Sequence, residues 1–96
     1  MNNSHRRDSN HKTILKELKE AGFTTMDTSQ VGDDQPDAIV GRNGFMRLLE
    51  IKSGKNQLTP SQSEWHDSWR GPRPLTIRTS SEVFEYWAKL IRGEVN

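Results

Sequence analysis

The sequence predicts a small α/β domain with a mixed four-stranded sheet flanked by helices in the order α-β-β-β-α-β-α, and three observations carry that prediction. Apolar residues at helical spacing alternate with short β-branched and aromatic runs. Asn43-Gly44 lies between two such runs and is a type I′ hairpin signal. Thr59-Pro60-Ser61-Gln62 and Thr79-Ser80-Ser81-Glu82 have the form of capping boxes, each marking a helix start.

Residues 1–7 are polar and aperiodic and read as a flexible tail, leaving 8–96 for one domain. Between Asp8 and Ala21, Ile14, Leu15, Leu18 and Ala21 fall at helical spacing, and Gly22 supplies a left-handed stop. Phe23 to Met26 suits a strand, and Asp27 to Gln35 is an acidic loop. Asp37 to Val40 forms a second strand just after Pro36. The hairpin turn leads into a third strand from Phe45 to Lys52, antiparallel to the second. After a loop from Ser53 to Leu58, Pro60 opens a helix that carries Trp65 and Trp69 and breaks at Gly71-Pro72. Leu75 to Arg78 is a short strand, and its start near Pro74 points to an edge position or to a strand beginning. Val83, Tyr86, Trp87, Leu90 and Ile91 form the apolar stripe of the last helix.

Composition narrows the function classes. There is no Cys, which removes disulfides, thiolate nucleophiles and Cys-based metal sites. Apolar residues make up 30% and charged residues 28%, with a mean hydropathy of -0.93. No apolar run approaches the roughly 20 residues of a membrane helix, and the polar start Met1-Asn2-Asn3-Ser4 has no signal-like hydrophobic region, so a cytoplasmic address is expected. A chain this short buries little more than about 60% of its unfolded surface, which favours self-association. The net charge is only +1, yet it is segregated. Arg42, Arg47, Lys52 and Lys55 face a single acid, Glu50, while Arg70, Arg73 and Arg78 share a stretch with none. Clustered in space, such segments make a basic face for a polyanion; otherwise they are ordinary solvated charge.

Pro36-Asp37 followed by Glu50-Ile51-Lys52 is the constellation that could do chemistry. Strand alternation puts Glu50 and Lys52 on one face with Cα atoms roughly 6.7 Å apart. The hairpin lets Asp37 and Glu50 meet. Two carboxylate ligands, completed by water and phosphate oxygens, suit Mg²⁺, and an ammonium beside them can stabilise charge on a phosphate. The plain alternative is a strand-start aspartate and a solvated Glu50/Lys52 pair.

Within the α-β-β-β-α-β order, this pattern resembles the PD-(D/E)xK nuclease superfamily. It is most similar to the small stand-alone VRR-NUC-type nucleases of phages and bacteria, relatives of Holliday junction resolvases. The resemblance runs from about Arg7 to Trp87. It includes the first helix ending at Gly22, Gly32 ahead of Pro36-Asp37, the Leu58-Thr59-Pro60-Ser61-Gln62 helix opening and the Trp69-Arg70-Gly71-Pro72 bend. It implies a restriction-endonuclease-like core and a Mg²⁺-dependent DNA endonuclease, with Mn²⁺ able to substitute and branched or junction DNA as a candidate substrate. Asp37 and Glu50 match the metal-binding acids, the main-chain carbonyl of Ile51 a third ligand, and Lys52 the catalytic lysine. Gln62 matches a helix glutamine that orients the lysine or the water, and it is equally a capping-box residue. Asp8 is the candidate for a further acid from the first helix, with helix capping as its simpler role; Asn10 and His11 stand where resolvase-like relatives carry theirs.

Lys55, Arg70, Arg73 and Arg42 are the expected phosphate contacts. Trp65, Trp69 and Trp87 are expected in the core, and His66 at the surface or an interface. A homodimer would place two centres on opposite strands of DNA. The competing readings are a non-catalytic nucleic-acid-binding module on the same scaffold and a small structural or interaction protein.

Overall fold

The computed structural model describes residues 10–32 and 34–96; the tail and Asp8 lie outside the described residues. The elements follow the expected order: α1 (His11–Glu20), β1 (Thr24–Asp27), β2 (Ala38–Arg42), β3 (Phe45–Ile51), α2 (Pro60–Ser68), β4 (Leu75–Ile77) and α3 (Ser80–Ile91). The sheet order is β1-β2-β3-β4. β1, β2 and β3 form an antiparallel meander, and β4 joins the β3 edge in parallel after the α2 crossover. The sheet is therefore mixed, with β4 at its edge.

Local chemistry explains the boundaries. α1 ends in a Schellman motif: Gly22, at φ 95°, donates its N–H to Lys19, and Phe23 donates to Leu18. The hairpin has φ 57° at Asn43 and 81° at Gly44, the left-handed pair that a type I′ turn requires. Both capping boxes close, Thr59 with Gln62 and Thr79 with Glu82.

Pairing of Ala38 with Leu49 and of Ile51 with Ile77 puts these residues, with Val40, on one face of the sheet. There they meet Ile14, Leu15 and Leu18 of α1 and Val83, Trp87 and Leu90 of α3 to make the core. Trp87 is 2% exposed, sits edge-on to Phe23 at 5.0 Å and donates its indole N–H to the Arg42 carbonyl at 3.1 Å. Ile91, expected on the same stripe, is exposed, because it follows Leu90 round the helix away from the sheet. Among the described residues no helix is long and apolar enough to cross a membrane.

Candidate active site

Asp37 is held at three points. Its N–H donates to the Leu49 carbonyl at 2.8 Å, its carbonyl accepts from Thr28 N–H at 2.8 Å, and its Oδ2 accepts from Ile51 N–H at 2.8 Å. Thr28 also donates its hydroxyl to the carbonyl of the buried Pro36. With its own carbonyl turned to Thr28, Asp37 uses its side chain in place of a backbone acceptor for Ile51. The carboxylate is thereby fixed alongside the Leu49–Ile51 segment, on the flank of Glu50.

Glu50 lies between core-facing Leu49 and Ile51, so its side chain projects from the opposite face, towards α2. It is only 2% exposed. Its Oε1 lies 3.1 Å from His66 Nε2, and its Oε2 accepts from Gln62 Nε2 at 3.4 Å. Gln62 uses its other amide atom as well, accepting from Thr59 N–H at 3.0 Å, so the capping role and the site role hold together. The resemblance pointed Gln62 at the lysine or the water; its side chain reaches Glu50 instead.

Lys52 N–H donates to the Ile77 carbonyl at 2.9 Å and carries the β3–β4 pairing one residue past β3. Alternation sets its half-buried side chain on the Glu50 side of the sheet. Asn10 pins this end of the sheet from α1, its amide donating to the carbonyls of Lys52 at 3.1 Å and Arg78 at 2.8 Å. Its Oδ1 is buried with no partner among the described residues.

His66 corrects the sequence expectation. It is not a surface residue but 1% exposed, packed under the sheet against Glu50, with its Nδ1 buried and unpartnered among the described residues. Burial pushes the imidazole below its ordinary value; Arg73 and then Lys52 add to that push, while Asp67 and Asp37 oppose it. The available signal was spacing: Gln62 and His66 are four residues apart on one helix and share a face, so a Gln62 aimed at Glu50 brings His66 with it.

The tryptophans divide. Trp87 belongs to the core, but Trp65 is half-buried and Trp69 is 44% exposed, the two indoles stacked at 5.3 Å and 13°. Placing Trp69 in the core is therefore corrected: it is the C-cap of α2, where the backbone leaves the helix in an extended conformation. With Pro36, Ile39, Leu48 and Val31 the pair lines an open groove of about 190 Å³ beside the Asp37 segment.

The expected phosphate contacts are scattered. Lys55 is exposed in the loop that follows β3, and Arg70 is exposed just past α2. Arg73 pairs with Asp67 at 2.5 Å across an exposed gap. Arg42 is not brought to this region: it lies at the other end of β2, roughly 13 Å along the strand from Ala38, bonded to the Ala21 carbonyl and lying over the Phe23 ring.

Among the described residues no three His, Asp or Glu side chains gather closely enough to hold a metal ion by themselves. Asp37 and Glu50 share this strand end, the Asp37 carboxylate accepting from the N–H of Ile51, the residue after Glu50. The Ile51 carbonyl points the same way as its N–H, towards Asp37, because both groups of a strand residue face one side. Oxygen donors so few in number, one of them main-chain, fit Mg²⁺, which keeps several waters. No family model, curated protein or solved structure matches this chain.

Proposed function

We propose that the chain is a metal-dependent DNA endonuclease with a restriction-endonuclease-like core, acting through Asp37, Glu50 and Lys52. The observation that carries the reading is the Asp37 carboxylate bonded to Ile51 N–H, which sets one acid beside the Glu50-Ile51-Lys52 strand end. Asp37, Glu50 and the Ile51 carbonyl would hold Mg²⁺, with Mn²⁺ as a substitute. A bound ion of this kind supplies Lewis-acid polarisation of a phosphate oxygen and an activated water. Lys52 faces the phosphate and stabilises its developing charge. Gln62 and the Thr59 cap keep Glu50 aimed at the end of the strand. Lys55 and Arg70 bind the flanking backbone as non-specific phosphate contacts, and a homodimer would present two such centres to a branched substrate.

The near-complete burial of Glu50 favours a second reading, a non-catalytic nucleic-acid-binding module on the same scaffold. One experiment separates them. Purified protein is incubated with junction, flap, single-stranded and duplex DNA in Mg²⁺ or Mn²⁺, beside Asp37→Asn and Lys52→Ala. The nuclease reading expects cleavage by the native chain and a loss of at least about a hundredfold in each variant, with the circular dichroism spectrum unchanged. Undiminished cleavage by the variants overturns it. Salt-sensitive binding with no cleavage of any substrate establishes the binding module.

A further inference from the structure

We propose that His66 is a positioning residue for the candidate metal centre, donating Nε2–H to Oε1 of Glu50 and holding that carboxylate in one orientation for a divalent cation shared with Asp37. The inference rests on the nuclease reading of Asp37 and Glu50 and names a part of the site that the sequence motif does not contain.

The geometry comes first. The two groups are 3.1 Å apart and almost wholly buried, the imidazole on α2 and the carboxylate on β3. The tautomer follows from which ring nitrogen has a partner. A neutral imidazole has one N–H and one lone pair. Nδ1 is buried with no partner among the described residues. A proton there would leave a buried donor unbonded and turn the Nε2 lone pair against a carboxylate oxygen. A proton on Nε2 makes the bond and leaves only a lone pair unmatched, so the Nε2–H form is the one the site selects.

Gln62 supports this task from farther off. Its contact with Glu50, at 3.4 Å, is past the usual range of an N–H···O bond, and its carbonyl is already committed to Thr59. His66 makes the shorter bond. The α2 crossover therefore has a chemical purpose beyond joining β3 to β4, since it delivers a donor onto the face that carries the acid. Outer partners of this kind orient metal ligands, and their loss typically costs about 10–100-fold in metal affinity.

The test is calorimetric titration of Mn²⁺ into the full chain and into His66→Leu and His66→Gln, with melting curves to establish that each is folded. Leucine fills the site without a donor, whereas glutamine restores an N–H near the Nε2 position. Expected are a fall in Mn²⁺ affinity of about 10–100-fold for leucine and recovery of most of it with glutamine. Nitrogen-15 NMR of the metal-free native chain should show the Nε2–H tautomer. Equal Mn²⁺ affinity in native chain and leucine variant, or a proton on Nδ1, overturns the role of His66 and leaves the nuclease reading standing. A native chain that takes up no Mn²⁺ overturns that reading itself.

Discussion

On the side of the sheet that meets α1 and α3, Ala38, Val40, Leu49, Ile51 and Ile77 point into an aliphatic and aromatic core; on the side that meets α2, the buried groups include the Glu50 carboxylate and the His66 imidazole. Both faces come from the same strands, separated only by alternation. Burying apolar area stabilises the first at roughly 25 cal/mol per Å². Burying a charge destabilises the second unless donors surround it, which is the work of His66 and Gln62. One face makes the chain fold, and the other holds a polar arrangement that a folding requirement alone would not select.

The largest effect should come from emptying the core face. Trp87→Ala removes a fully buried indole and its bond to the Arg42 carbonyl, and a loss of about 3–5 kcal/mol is expected. Against a total stability of about 5–15 kcal/mol, urea denaturation should show a midpoint near collapse. A loss below about 1 kcal/mol would mean that the two faces do not differ in the way described.

The elements of both faces were legible in the sequence because their signals are local. Gly22, Asn43-Gly44 and the two threonine boxes act within a few residues of themselves, and each does in the structure what its chemistry requires. The packing of α2 was not legible. Trp65 and Trp69 stand four apart and look like a stripe meant for the core, while the residue that goes inward is His66. Its partner, Glu50, is sixteen residues away, and nothing local to either residue pairs them until α2 is laid over the sheet. Thr28 and Asn10, which clamp Asp37 and the end of β3, bond backbone groups across the fold and leave no pattern in the chain.

The site face gives a smaller effect with a distinctive sign. His66→Leu takes from the buried Glu50 carboxylate the donor at 3.1 Å and should cost about 2–3 kcal/mol in stability. Adding Glu50→Gln to that variant removes the charge and should return much of the loss, so the two substitutions are non-additive in a double-mutant cycle followed by urea denaturation. Glu50→Gln alone should leave stability within about 1 kcal/mol of the native value. The buried carboxylate contributes little net stability by being charged, and a great deal is lost only when its donor is removed and the carboxylate stays. Additive losses would show that the carboxylate and the imidazole are not coupled.

The smallest effect should come from Trp69→Ala, although it removes the same side chain as Trp87→Ala. Trp69 is 44% exposed and stacks on Trp65 at the open groove. Such a pair is worth about 0.5–1.5 kcal/mol beyond its area, so a loss of about 1 kcal/mol is expected, several-fold below that at Trp87. The stack also has its own spectroscopic readout, because two nearly parallel indoles at 5.3 Å couple their transitions. The resulting circular dichroism feature should vanish equally in Trp65→Ala and Trp69→Ala and survive Trp87→Ala. Gly71→Ala tests the same contact from its edge: an added Cβ would lie 2.7 Å from the Trp69 indole nitrogen, so the ring must move and the signal weaken. If Trp69→Ala instead destabilised the chain as much as Trp87→Ala, the α2 side of the sheet would be a second core and not the open, site-bearing face.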